Sequence, residues 1–128
     1  MVNLLDLISR IFISSIFLFS GINKIFQYEE TFQWMEQSGM PGFFLVPAIA
    51  LEIIAPVLVI IGYKARTAAA LLALFCILTA FLFHFDFSNQ IQIIAFLKNV
   101  GLAGGFLFIS ANGTKEWSMD KKKKYVRL

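Results

Sequence analysis

Four apolar stretches separated by short polar breaks organise the chain, at about residues 4–26, 43–62, 67–85 and 91–111. About 20 apolar residues in a helix cross the hydrocarbon core of a bilayer, so each stretch predicts one membrane-spanning helix. Polarity inside the stretches is periodic. In the first, Asp6, Arg10, Ser14, Phe17, Gly21 and Lys24 follow one another at intervals of three or four residues, which places them on one helix face. That face should look into a bundle, with Asp6 and Arg10 holding each other as an i,i+4 pair and the apolar remainder toward lipid. In the third, Ala69, Ala73, Cys76, Ala80 and His84 make a small-residue face suited to close helix approach. In the fourth, Lys98, Gly101 and Gly105 share a face, a GxxxG beneath an intramembrane lysine, and Asn99 adds a second polar side chain. The predicted fold is an all-α integral membrane four-helix bundle, a single domain over residues 1–128.

The breaks refine this picture. In 27–42, Tyr28, Phe32 and Met35 recur at helical spacing and Trp34 suits a membrane interface. They predict a short interfacial helix ending near Ser38-Gly39, then a turn at Met40-Pro41-Gly42. The segment carries Glu29, Glu30 and Glu36 and no basic residue. It caps one end of the bundle or simply lies on the lipid. The link 63–66 is so short that the second and third helices must be antiparallel neighbours, and it carries Lys64 and Arg66. Beyond residue 111, Lys115, Lys121, Lys122, Lys123, Lys124 and Arg127 outweigh Glu116 and Asp120. Such a tail acts as a topology signal or attracts anionic lipid at about 1 kcal/mol per basic residue. With Glu29, Glu30, Glu36 and Asp86 on the opposite side, the positive-inside rule places both termini in the cytoplasm and the acidic loops outside. The N-terminal stretch lacks the early basic region and small-residue cleavage site of a signal peptide.

Composition removes the soluble alternative. The chain is 59% hydrophobic and 15% charged, against about 25% charged for soluble domains. Chemistry then narrows to a few residues. Glu52 falls in the middle of the second stretch, and Pro56, four residues on, has no N–H for the Glu52 carbonyl. The helical rise puts Glu52 about 14 Å and Lys98 about 10 Å below the outer side. An ion pair between them is expected, within an outer-half pocket of Lys24, Glu52, His84, Lys98 and Asn99. Alternatively the pair only fixes packing, Lys24 snorkels to the headgroups and His84 is interfacial. The pocket's positive excess suits an anion or the carbonyl oxygens of a quinone. Cys76 stands alone, so no internal dithiol cycles. One histidine cannot provide paired haem ligands, and there is no metal-ligand spacing, phosphate loop or nucleophile elbow. The tail is too short for a nucleic-acid module.

Taken in order, several short motifs resemble the DoxX family of small four-helix membrane proteins. They are Arg10 with Phe19-Ser20-Gly21-Ile22-Asn23-Lys24, Glu52, Gly62 with Arg66-Thr67-Ala68-Ala69, Phe83-His84-Phe85, and Lys98-Asn99 with Gly104-Gly105. The resemblance implies a bacterial or archaeal inner membrane and a redox setting. Relatives include membrane subunits of a thiosulfate:quinone oxidoreductase and proteins similar to methylamine-utilisation maturation factors. Three functions fit. One is a subunit of an envelope oxidoreductase system that binds quinone or a small anion through Lys24, Lys98 and Asn99, with Glu52 and His84 as the catalytic pair and Asp6 and Arg10 as structural polar residues. Another is a non-enzymatic membrane anchor, maturation or assembly partner of another protein, and the expected partners are such a protein or further copies of the chain in a homo-oligomer. The third is a small-anion transporter.

Overall fold

The computed structural model describes residues 1–121. Its elements are α1 (Val2–Phe26), α2 (Tyr28–Gln37), α3 (Leu45–Ile61), α4 (Ala65–Phe83) and α5 (Gln90–Asn112), with one 3₁₀ turn, Gly42–Phe44, leading into α3. No strand occurs among the described residues. The four long helices are each long and apolar enough to cross a bilayer. The helix α2 is the short one expected between the first two spans, and it ends at Gln37 with Ser38 as its C-cap, just before Gly39. Packing runs α1–α3–α4–α5, most extensively between α4 and α5, while α1 meets α5 at few points. We call the end with Lys64, Arg66 and Lys115 the basic end, and the end with Glu29, Glu30, Glu36 and Asp86 the acidic end.

The periodic faces turn inward as their spacing predicts. Arg10, Ser14, Phe17 and Gly21 of α1 are buried. So are Ala69, Ala73, Cys76 and Ala80 of α4. Phe17 ties the halves together, edge-on to Phe75 at 6.3 Å and to Phe106 at 5.5 Å between ring centroids. Large apolar side chains such as Phe12, Phe19, Ile54, Leu78 and Phe108 point outward, where lipid rather than water is the solvent that suits them.

α5 departs from expectation. Its inward residues are Ala103 and Phe106, with Asn99 half-buried one turn further along. Lys98 and Gly101 are exposed, and a Cβ on Gly101 would meet nothing within 4 Å. Gly105 alone of that set approaches another helix, against Ile13 of α1. The Lys98/Gly101/Gly105 stripe is therefore not a buried interface. A rotation of one residue, about 100°, separates it from the stripe that is.

The basic end is closed by side chains remote in sequence. Gly62 ends α3 in the left-handed region at φ 72°, and the N–H groups of Gly62 and Tyr63 return to the Leu58 carbonyl at 2.9 and 3.0 Å, as helix C-caps do. The Gly62 N–H also reaches the Val59 carbonyl at 3.2 Å, and the Val59 and Ile60 carbonyls of this last turn can each take a further donor. Arg10, 1% exposed, donates Nη1 to both and Nη2 to the Trp117 carbonyl, and its Nε reaches Asp6 at 3.0 Å. The expected Asp6–Arg10 pair is thus present as part of a larger knot. At the start of α4, the Asp120 carboxylate accepts the N–H groups of Lys64 and Ala65 at 2.8 and 3.0 Å, matching an anion to the positive end of the helix. Residues 113–121 are therefore folded onto the α3–α4 turn, and Lys122, Lys123, Lys124 and Arg127 lie outside the described residues.

Candidate functional site

The site forms where α1 and α3 come closest. Gly21 makes the approach possible, because a Cβ there would lie 2.9 Å from Ile53 Cγ1 and 3.2 Å from Glu52 Cβ. With Gly21 level with Glu52, Lys24 stands less than one turn nearer the acidic end and its four-carbon arm folds down onto the carboxylate. Lys24 Nζ is 2.8 Å from both Glu52 oxygens and 2.8 Å from Ser20 Oγ, which itself donates to Glu52 at 3.2 Å. Glu52 is 3% exposed and Lys24 25%.

The counter-ion of Glu52 is therefore Lys24, and the expected Glu52–Lys98 pair is absent. Depth along the bundle axis matched Lys98 to Glu52, but depth says nothing of direction around the helix. Lys98 projects outward from α5. The option of Lys24 snorkelling away from Glu52 is overturned by the same contacts. Lys98→Leu is accordingly expected to leave the isolated protein as stable or to stabilise it by up to about 3 kcal/mol, the cost of a cation at mid-membrane. Chemical unfolding in mixed micelles measures this, and a clear destabilisation would restore Lys98 to the interior.

Around the pair lies a cavity of about 240 Å³ that holds Lys24, Glu52, His84 and Asn99 of the expected set, without Lys98. Its apolar walls are Ile16, Phe17, Phe75, Phe83 and Leu102, and Trp34 of α2 closes the acidic-end side, packed on Phe83 at 4.9 Å. Asn99 Nδ2 points to Thr79 Oγ1 at 3.4 Å. Thr79 Oγ1 is anchored to the Phe75 carbonyl at 2.9 Å. His84 caps α4, and its Nδ1 lies 2.9 Å from Gln92 Oε1 across the turn into α5. An amide oxygen only accepts, so Nδ1 donates this hydrogen bond. Outside the spans, the Ser88 hydroxyl and amide hold the Asp86 carboxyl below its usual range. Among the described residues no three His, Cys, Asp or Glu side chains gather as metal ligands would.

Ser20, Trp34, Thr79 and Gln92 were not expected in the site. Ser20 had a signal: it is one turn before Lys24 on a face already seen to be polar. Thr79 and Gln92 had none beyond being polar within apolar helices.

Four bilayer-length helices around a partly polar interior define a multi-pass integral membrane protein. Within that class the chain belongs to the DoxX family, whose profile matches residues 5–85. It is similar to inner membrane protein YqjF of Escherichia coli (strain K12), 38% identical over 115 residues that cover 90% of this chain and 88% of that protein. It is also similar to inner membrane protein YphA of the same organism, 31% identical over 123 residues, covering 91% and 88%. No solved structure matches the chain.

Proposed function

We propose that the chain is the ligand-seating membrane subunit of an inner-membrane oxidoreductase system, and that its cavity takes a quinone. The observation that carries this is the Lys24–Glu52 pair itself. Once Lys24 is neutralised, the cavity keeps hydrogen-bonding groups but no positive excess. Its anion character weakens, and a neutral, flat ligand with polar edges fits better. Aromatic walls from Phe17, Phe75 and Phe83 suit a planar ring. Asn99 Nδ2 is placed to donate to a carbonyl oxygen, and His84 Nε2 to accept from a reduced hydroxyl. Electrons would come from a partner subunit, and this chain would seat the ring and pass protons. The names of the Escherichia coli relatives support the inner membrane, and the positive-inside rule supports a cytoplasmic basic end.

Quenching of Trp34 by a short-chain quinone tests this, in a Trp117→Phe background so that one indole reports. Saturable quenching is expected. It should weaken about tenfold in Asn99→Leu, the order of one hydrogen bond, and fall sharply when Leu102→Phe fills the cavity. Quenching that never saturates, or that ignores both changes, overturns the proposal.

A second reading, an assembly partner, rests on Lys98. An exposed amine with no ion-pair partner among the described residues, beside open Gly101 and Gly104, suits a neighbouring helix that brings a carboxylate. Loss of a stoichiometric co-purifying subunit in Lys98→Leu would support it.

A further inference from the structure

Two adjoining cavities at the basic end lie apart from the Lys24–Glu52 site. The first, of about 270 Å³, is lined by Lys64, Arg66, Thr67, Thr114, Asp120 and Lys121. Three cations there face one carboxylate, and that carboxylate is already engaged by the N–H groups of Lys64 and Ala65. Arg66 is held in place. It donates Nη1 to the Ala111 carbonyl at 3.2 Å and lies over Gly113, where a Cβ would come within 2.9 Å of its Nε. Its guanidinium has five N–H donors, so most remain available to an anion.

The second cavity, of about 330 Å³, shares Lys64 and Thr67 with the first and runs down the groove between α3 and α4 past Leu58, Ile54 and Leu71 to Ala50. Apart from Lys64 and Thr67 its lining is wholly apolar. From Leu58 to Ala50 the groove descends about 12 Å along α3. A cationic cup at the membrane boundary therefore opens into an apolar furrow that leads toward mid-membrane.

We propose that these two cavities form one binding site for an anionic glycerophospholipid, with the headgroup phosphate in the cup and an acyl chain in the furrow. Each part alone would be unremarkable on a membrane protein. Their continuity through Lys64 and Thr67 is what matches a molecule carrying both a phosphate and a hydrocarbon chain. Arginine offers the phosphate a bidentate fork and the lysines add point charge. Neutral-headgroup lipids of the same chain length would gain the furrow but waste the cup. The cup is built from the link between α3 and α4 together with Thr114, Asp120 and Lys121.

Native mass spectrometry tests this on the full chain released from mild detergent after equilibration with equal phosphatidylglycerol and phosphatidylcholine of matched chains. Preferential retention of phosphatidylglycerol is expected. The Lys64→Gln/Arg66→Gln variant should weaken it about thirtyfold, from roughly fivefold per basic residue at an anionic surface. Ile54→Trp should weaken it without any change of charge, by filling the furrow. Glycerol 3-phosphate, the headgroup without chains, should fail to displace the lipid at equal concentration. Equal retention of the two lipids overturns the proposal, and displacement by glycerol 3-phosphate reassigns the cup to free phosphates. Should the double variant fail to fold by circular dichroism, Lys121→Gln and Ile54→Trp decide, and unchanged retention in both is fatal to the idea. Quinone quenching of Trp34 should be untouched by Lys64→Gln/Arg66→Gln, which separates this site from the other cavity.

Discussion

Lys24→Met is expected to destabilise the bundle by about 3–5 kcal/mol, the usual cost of stranding one member of a buried ion pair. Glu52 is the reason. Its carboxylate is almost wholly enclosed, with both oxygens on Lys24 Nζ. Without the amine, only the Ser20 hydroxyl remains to it. The reverse change, Glu52→Gln, should cost less. Lys24 is a quarter exposed, its stem is flexible, and the acidic end is less than a turn away, so the freed amine can turn outward. The double variant Lys24→Met/Glu52→Leu should recover most of the loss, because two apolar groups replace a pair whose desolvation cost nearly cancels its attraction. Unfolding in mixed micelles of the wild type, Lys24→Met, Glu52→Leu and the double variant gives the coupling directly. Equal losses for the two single variants, with no recovery in the double, would mean that the pair is not the unit the geometry describes. The same series separates stability from function: if the double variant folds yet no longer quenches Trp34 with quinone, the pair serves the ligand as well as the bundle.

Much of this architecture was legible in the sequence because lipid makes the pattern severe. A polar residue in an apolar span must find an interior partner, so the stripe from Arg10 to Gly21 and the alanines of α4 pointed inward without ambiguity. α5 was ambiguous. It carries two overlapping stripes, Lys98/Gly101/Gly105 and Asn99/Ala103/Phe106, one residue apart. The small-residue stripe looked like the interface, but the bulk of Phe106 against Phe17 won the inward position. Counting residues from the helix ends placed Glu52 and Lys98 at similar depth and could not show that the lysine pointed away. Lys24 was undervalued because its position was judged at Cα, whereas its arm spans more than a helical turn. The contacts hardest to foresee join distant segments. Nothing in local spacing tells that Asp120 caps α4 from 55 or 56 residues away.

Arg10 shows what such a long-range contact is worth. Arg10→Met should lower stability by about 3–5 kcal/mol, in the range for breaking a buried charged network, and Arg10→Lys should recover only part of it. The guanidinium does three things at once. It satisfies the Val59 and Ile60 carbonyls at the end of α3, it holds the Trp117 carbonyl and so the 113–121 segment, and it balances Asp6. Methionine fills similar space but takes a donor from the Val59, Ile60 and Trp117 carbonyls and the counter-ion from Asp6, which keeps only the Lys115 N–H, and each unsatisfied buried group costs about 1–3 kcal/mol. Lysine restores the charge but has one nitrogen, which cannot reach α3, Asp6 and Trp117 together. The effect should be local in a measurable way. Hydrogen exchange at the N–H groups of Lys64, Ala65 and Asp120 should speed up in Arg10→Met, because each of these hydrogen bonds joins the α3–α4 turn to the segment that Arg10 fastens. Exchange in the Lys24–Glu52 region should change no more than global stability requires. Uniform acceleration throughout the bundle would instead make Arg10 a global core residue, with no special hold on the basic end.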